Sequence, residues 1–253
     1  MTRRDPRLMP EVSPPMAWSA TRNPGRSEAP AARPLVWSFD FISPYSYLQH
    51  EVLHRVEALA PIAPRPVLFA GLLQHHEHKG PAEIAPKKIH TFREVVWRAH
   101  QHGIALVLPA AHPFNPLPLL RLSIACNNDR AAIAAIFRFV WQQGHLPTET
   151  VAFAALCAEL GVADPAALEH PAIKQSLRDN TQAAIDEGLF GVPSLQMGHE
   201  IYWGFDMTDA VIARLKGDPV FDSPLMQRAG ELPDGVQRLA RTGSGSGSGT
   251  GKT

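Results

Sequence analysis

Two serines, Ser43 and Ser46, stand in the run Ser43-Pro44-Tyr45-Ser46, directly after an apolar, aromatic-rich stretch. Serine is a good helix N-cap and proline suits the first helical position, so Ser43-Pro44 reads as a helix start. The N–H groups and dipole at a helix start favour negative charge, and they depress the pKa of a thiol placed against them. A hydroxyl there can hydrogen-bond such an anion, although the same dipeptide also serves simply as a cap. The cluster His75-His76-Glu77-His78 carries metal-capable side chains. Adjacent histidines on an unpatterned loop lack the i, i+4 spacing that fixes a coordination shell, so a solvated loop and no metal are expected. Cys126 and Cys157 are far apart in helical-looking regions with no C-x-x-C motif. They read as core thiols outside any disulfide framework, which makes a reducing cytoplasm the default compartment.

The elements that must position these residues follow from pattern. Residues 35–41 (LVWSFDF) read as a buried strand, with a helix from Ser43-Pro44 and a second strand over 65–69 completing β-α-β. From about 86 to 188 the chain reads as almost wholly helical, with amphipathic segments near 87–102, 117–128, 130–143, 149–160 and 165–187. Strands return at 193–197 and 200–203, joined at Gly198-His199, and a helix follows over 207–216 with Asp206 placed to cap it. Trp97, Trp141 and Phe137 fall on the helices, where core packing is the expected role and a substrate wall the alternative.

The chain of 253 residues is 45% hydrophobic, enough for a real core. Lys plus Arg (24) balance Asp plus Glu (24), so there is no basic field to recruit nucleic acid or anionic lipid. No apolar run approaches the ~18 residues of a membrane span. The expected organisation has four parts: a flexible extension over 1–33, a thioredoxin-like domain in two halves (35–75 and 189–220), an inserted helical domain over 76–188, and a flexible Gly/Ser tail over 243–253. The fold class is α/β, a thioredoxin-like fold with an inserted all-helical domain.

The run from Phe39 to Leu48 resembles the start of the kappa-class glutathione transferases and the 2-hydroxychromene-2-carboxylate isomerases, relatives of the DsbA-type oxidoreductases. By that resemblance S-P-Y-S occupies the slot of C-x-x-C. Ser43 and Ser46 then replace both sulfurs, and disulfide chemistry at the slot is excluded. Gly188-Leu189-Phe190-Gly191-Val192-Pro193-Ser194 is similar to the G-x-F-G-V-P-[ST] phrase of the same families. The resemblance implies a cis Val192-Pro193 bond, with the Val192 backbone free to pair with the cysteinyl part of glutathione. Ile201-Tyr202-Trp203-Gly204-Phe205-Asp206-Met207 is similar to a phrase ending F-W-G-[NQS]-D-R, whose Asp and neighbour hold the γ-glutamyl end; here Phe205 and Met207 depart from it. Pro86-Lys87-Lys88 and His112-Pro113-Phe114-Asn115 resemble the weaker phrases P-x-K and F-P-x-N, and Lys88 is thereby assigned to a glutathione carboxylate.

The resemblance implies a glutathione-dependent isomerase interconverting 2-hydroxychromene-2-carboxylate and trans-o-hydroxybenzylidenepyruvate in aromatic catabolism. Glutathione is the cofactor and Ser43 the catalytic residue. Ser43, Lys88, Val192, Pro193, Phe205 and Asp206 are the cofactor-binding residues. The partner is a small aromatic substrate, with neither nucleic acid nor membrane, and a homodimer is the association that relatives commonly adopt. Two alternatives stand beside it: a kappa-like transferase conjugating or reducing small electrophiles, and a non-catalytic binding protein on the same scaffold.

Overall fold

The computed structural model describes residues 34–233 and 235; the expected extension over 1–33 and the tail over 243–253 lie outside the described residues. Contacts group the described residues through Gly217 into one compact unit, and the described residues from Asp218 belong to another. Of that second unit, a 3₁₀ turn Pro219–Asp222 and a helix Pro224–Gly230 are described.

The first unit is built on a four-stranded mixed sheet of order β2-β1-β3-β4, where β1 is Leu35–Phe39, β2 Ile62–Pro66, β3 Ser194–Met197 and β4 Glu200–Trp203. β1 pairs with β2 in parallel and with β3 antiparallel, and β3 pairs antiparallel with β4. Between β1 and β2 run the helices α1 (Pro44–Val52) and α2 (His54–Glu57). The helices between β2 and β3 are α3 (Phe69–His75), α4 (Ala85–His102), α5 (Leu117–Ala125), α6 (Arg130–Trp141), α7 (Thr150–Glu159) and α8 (Pro171–Asp186). The last helix of the unit is α9 (Thr208–Leu215). The last predicted helical segment, 165–187, divides into a 3₁₀ turn Pro165–Glu169 and α8, because Pro171 has no N–H to give and holds His170 extended at φ −57°, ψ 134°.

Two strand expectations are corrected. β1 ends at Phe39 rather than 41, because Asp40 turns out of the ladder and its carboxylate takes the N–H groups of Ile42 and Phe69. β2 lies at Ile62–Pro66 rather than 65–69. It is an edge strand, bracketed by hydrogen bonds from Leu35 N to Pro61 O and from Val67 N to Phe39 O. In that register the odd-numbered residues face β1. Pro64 and Pro66, which lack N–H groups, face the open edge and cost the ladder nothing.

The core is aromatic on one side of β1. Trp37 and Phe39 stack at 4.2 Å, and Phe41, Tyr47, Phe137 and Trp141 complete a cluster shielded from solvent. The Trp141 indole N–H is satisfied by the Phe41 carbonyl at 2.9 Å, as a buried tryptophan requires. A second cluster of Val67, Leu72, Ala184, Leu189 and Val192 packs α3 and α8 around the loop that enters β3. Because β1 and β3 are antiparallel neighbours, with Ser38 opposite Ser194, the end of β1 and the start of β3 meet at the same end of the sheet.

Candidate active site

At that meeting point the structure sets Ser43 against Val192. Ser43 is the N-cap of α1 at φ −84°, ψ 116°; its Oγ accepts from the Ser46 N–H at 3.2 Å and faces the Val192 carbonyl at 3.5 Å. The Val192-Pro193 bond is cis, Val192 is 6% exposed, and its N–H has no hydrogen-bond partner among the described residues. Ser46 is fully buried one turn below Ser43 and its hydroxyl is unpartnered. This end of the sheet thus offers a helix N-terminus, a hydroxyl and a backbone N–H left open, all suited to an anion or thiolate on a peptide-like ligand.

No protein thiol is close to Ser43 in this framework. Cys126 and Cys157 are free, on the end of α5 and on α7, and burial raises both thiols, Cys157 to about 11. Cys157 is buried in the core as expected, whereas Cys126 is only partly buried.

Two residues missed by sequence reasoning hold the Ser43 loop in place. Asp40 is fully buried; its Oδ1 accepts from Ile42 N at 3.1 Å and its Oδ2 from Phe69 N at 2.9 Å, while its own carbonyl accepts from Ser43 N at 3.1 Å. Burial pushes its carboxyl up to about 7, against the lowering effect of the backbone N–H groups. The signal was present in the sequence: one acid inside the apolar run LVWSFDFI. His112 is the second. Its Nε2 donates to the Ile42 carbonyl at 2.9 Å, its Nδ1 is buried without a partner, and burial lowers its pKa. Rings of Phe92, Phe114 and Trp141 surround it, 5.0 to 6.2 Å away, and its own peptide bond to Pro113 is cis.

Lys88 is placed beside this support. Its amine donates to the His112 carbonyl, so it joins the Ser43 loop through His112. Phe205 and Asp206 lie on the opposite wall, in a 3₁₀ turn Phe205–Met207 entered through Gly204 at φ +102°. A Cβ on residue 204 would come within 2.5 Å of Asp206 Oδ1, so the turn requires glycine. Asp206 does not cap a helix as expected; α9 begins at Thr208 after Met207, with no side-chain cap. Asp206 is exposed, whereas the Phe205 ring is buried edge-on to His102 at 5.1 Å, leaving its backbone as what it can offer a ligand. Gln49 ties this wall to α1: it accepts from Trp37 Nε1 at 2.9 Å and donates to Gly204 O and Thr208 Oγ1, both at 3.1 Å.

The histidine cluster is not a loop throughout. α3 runs through His75, with His76 at its C-cap, and His76 Nε2 meets the Leu189 carbonyl at 2.9 Å, which bolts the helix end to the loop entering β3. Among the described residues no group of three or more His, Cys, Asp or Glu is placed to hold a metal. Of the three aromatic residues noted on the helices, Trp141 and Phe137 are fully buried and Trp97 is 57% exposed, so core packing does not account for Trp97. Two surface grooves, between α6 and α7 and between α5 and α8, are lined by residues other than Ser43, Val192 and Asp206.

A family model described as a DSBA-like thioredoxin domain matches residues 35–216, the whole of this framework. The chain belongs to the DsbA-like thioredoxin family. Within it, the DsbA-like chain is 29% identical over 180 residues to glutathione S-transferase kappa 2 of Caenorhabditis elegans, covering 64% of this chain and 80% of the relative. It is also 29% identical over 189 residues to a 2-hydroxychromene-2-carboxylate isomerase of Pseudomonas putida, covering 70% and 93%. A solved 2-hydroxychromene-2-carboxylate isomerase superposes with a TM-score of 0.64 at 25% identity, over 76% of this chain and all of that one. Among the described residues of the DsbA-like chain no helix is long and apolar enough to cross a membrane.

Proposed function

We propose that this chain is a glutathione-dependent isomerase interconverting 2-hydroxychromene-2-carboxylate and trans-o-hydroxybenzylidenepyruvate, with Ser43 as its catalytic residue. The observation that carries the reading is the helix N-terminus at Ser43, hydroxyl in place and sulfur absent, facing a Val192 backbone whose N–H is unpartnered. Glutathione fits these residues: its cysteinyl backbone would pair with Val192 beside cis-Pro193, and its γ-glutamyl end would meet Asp206. Lys88 spends one of its three ammonium N–H groups on the His112 carbonyl, leaving donors for a carboxylate. When bound, glutathione supplies the thiolate that adds reversibly to a conjugated double bond and so permits rotation about it.

The protein's own part is electrostatic and positional. The first turn of α1 and the Ser43 hydroxyl favour the anionic form of a sulfur placed there. Asp40 and His112 fix Ile42, hence Ser43, so that the donor is pre-aimed. Small aromatic substrates, aromatic catabolism, a cytoplasmic setting and a homodimer belong to the same reading, supported by the likeness to the isomerases. A kappa-like transferase is the second reading, favoured by the equal identity to the Caenorhabditis elegans relative.

Isothermal titration of glutathione is the primary test. Micromolar to millimolar binding, weakened in Asp206→Asn, followed by turnover of the chromene without loss of glutathione, is the result expected. Consumption of glutathione into a stable conjugate would turn the assignment to transferase. No saturable heat would remove both enzymatic readings and leave a binding protein on this scaffold. Ser43→Ala is expected to lower turnover at least ~10-fold, because one charge-assisted hydrogen bond contributes ~1.5–3 kcal/mol; an unchanged rate takes Ser43 out of the mechanism.

A further inference from the structure

The rim between α4 and the 204–207 turn carries charges that the reading above leaves without a task. His90, Glu94, Arg98 and His102 recur at every fourth position of α4 and so form one row on its surface. The row is tied to the site. Tyr45, two residues past Ser43, donates its hydroxyl to Glu94 Oε2 at 2.7 Å, and His90 Nε2 lies 3.8 Å from the same oxygen. Farther along, the His102 ring stands against Phe205, the neighbour of Asp206. Arg98 and Asp206 both act electrostatically on the Tyr45 hydroxyl, with opposite sign. Arg98 thus sits on the α4 row between Glu94, which Tyr45 ties to the Ser43 site, and His102, which packs on the 204–207 turn that carries Asp206.

Arg98 is loosely held. Its Nε and Nη2 both approach Glu94 Oε1 at 3.4 Å, long for a guanidinium–carboxylate pair, and its side chain is 36% exposed. It can exchange that partner for a ligand at small cost. Asp206 has no cation beside it on its own turn, where Gly204, Phe205, Met207 and Thr208 are the neighbours. A γ-glutamyl end presents an α-ammonium and an α-carboxylate on one carbon, and a matching site needs one acid and one base. Lys88 precedes Arg98 by ten residues, ~15 Å along the helix, and is too far away to serve the same carboxylate.

We propose that Arg98 anchors the α-carboxylate of the γ-glutamyl group, with Asp206 taking the α-ammonium, so that the zwitterionic end is clamped between α4 and the 204–207 turn. This rests on the glutathione reading and adds a specificity: the site selects thiols that carry a free α-amino acid. Glu94 and Tyr45 are positioning residues that hold the guanidinium near the turn until the ligand arrives.

Binding rather than turnover tests it. Titrate wild type and Arg98→Gln, which keeps most of the packing, with glutathione and with its analogue lacking only the α-carboxylate (γ-aminobutyryl-cysteinylglycine). In wild type the analogue is expected to bind ~10-fold more weakly than glutathione, one charge-assisted contact's worth, and in Arg98→Gln the two should bind alike. Asp206→Asn serves as the cross-check, remaining sensitive to the α-carboxylate while losing discrimination against glutaryl-cysteinylglycine, which lacks the α-amino group. If glutathione binds but loss of the α-carboxylate costs the same in wild type and Arg98→Gln, the Arg98 assignment is overturned and the glutathione reading stands. If wild type shows no saturable heat with glutathione, the underlying reading fails and the assignment falls with it.

Discussion

The two walls of the site are built differently. The Ser43 wall is buried and held from several directions: Asp40 and His112 clasp Ile42, Trp141 clasps the Phe41 carbonyl, and Phe137 packs beneath. The 204–207 wall is a short 3₁₀ turn with Asp206 in solvent, fastened to α1 mainly through one buried side chain, Gln49. Chemistry at a helix N-terminus depends on where a donor points to within a fraction of an ångström, whereas a flexible zwitterion can be gripped by groups that adjust. Under the proposed glutathione reading, the rigid wall would hold the reacting centre and the softer wall would serve recognition.

Three substitutions would break or sharpen that contrast. Phe137→Ala removes a fully buried ring touching Trp37, Phe39, Phe41, Tyr47 and His50, and is expected to cost ~3–5 kcal/mol in urea unfolding, disturbing the Ser43 wall from below. A loss under ~1 kcal/mol would mean that wall is less firmly packed than its burial indicates. Gln49→Ala strands the Trp37 indole N–H and cuts the link from α1 to Gly204 and Thr208, and is expected to cost ~1–3 kcal/mol. Its signature is faster amide hydrogen exchange at 204–208 than at 41–47; equal acceleration at both would dissolve the distinction between the walls.

The third change has its smallest consequence at neutral pH and is read as a slope. Asp40 has a folded pKa of about 7 against an ordinary 3.8, so between those values the folded state holds a proton that the unfolded state releases. Its contribution to stability is therefore full below about 3.8 and lost as pH rises through about 7. His50, lowered to about 3 by burial, acts in the opposite direction, its contribution failing as pH falls below its ordinary 6.5. Subtracting Asp40→Asn from wild type isolates the first effect. The difference in unfolding midpoint should shift against wild type as pH rises from 4 to 7.5, and a flat difference would show that Asp40 titrates as an ordinary carboxylate.

Much of this was legible because it is local. The helices at 85–102, 117–125 and 130–141 follow from apolar periodicity. The hairpin follows from Gly198, whose φ of +63° at the turn favours glycine. Ser43 followed from the capping chemistry of Ser-Pro. Other features were hidden because the partners are remote in sequence. The β2 register depends on which edge of the sheet is open, since only there are Pro64 and Pro66 free of cost. α3 was obscured by histidines whose packing partner, Leu189, lies more than a hundred residues away. His112, seventy residues from Ile42, read only as part of the run that resembles the F-P-x-N phrase.

By itself the sequence determined the order of the four strands and the longer helices, the absence of a thiol at Ser43 and Ser46, and the residues of the loop at Val192. These are consequences of side-chain shape and composition acting over a few neighbouring residues. Tertiary structure alone decided that Ser43 faces Val192, that Asp40 is buried with its carboxyl pushed up to about 7, and that the α4 row from Glu94 to His102 spans from Tyr45 to the 204–207 turn. Each of these depends on distance through space and on the exclusion of water. Neither quantity exists until the antiparallel pairing of β1 with β3 brings Ser43 and Val192, 149 residues apart, to one end of the sheet.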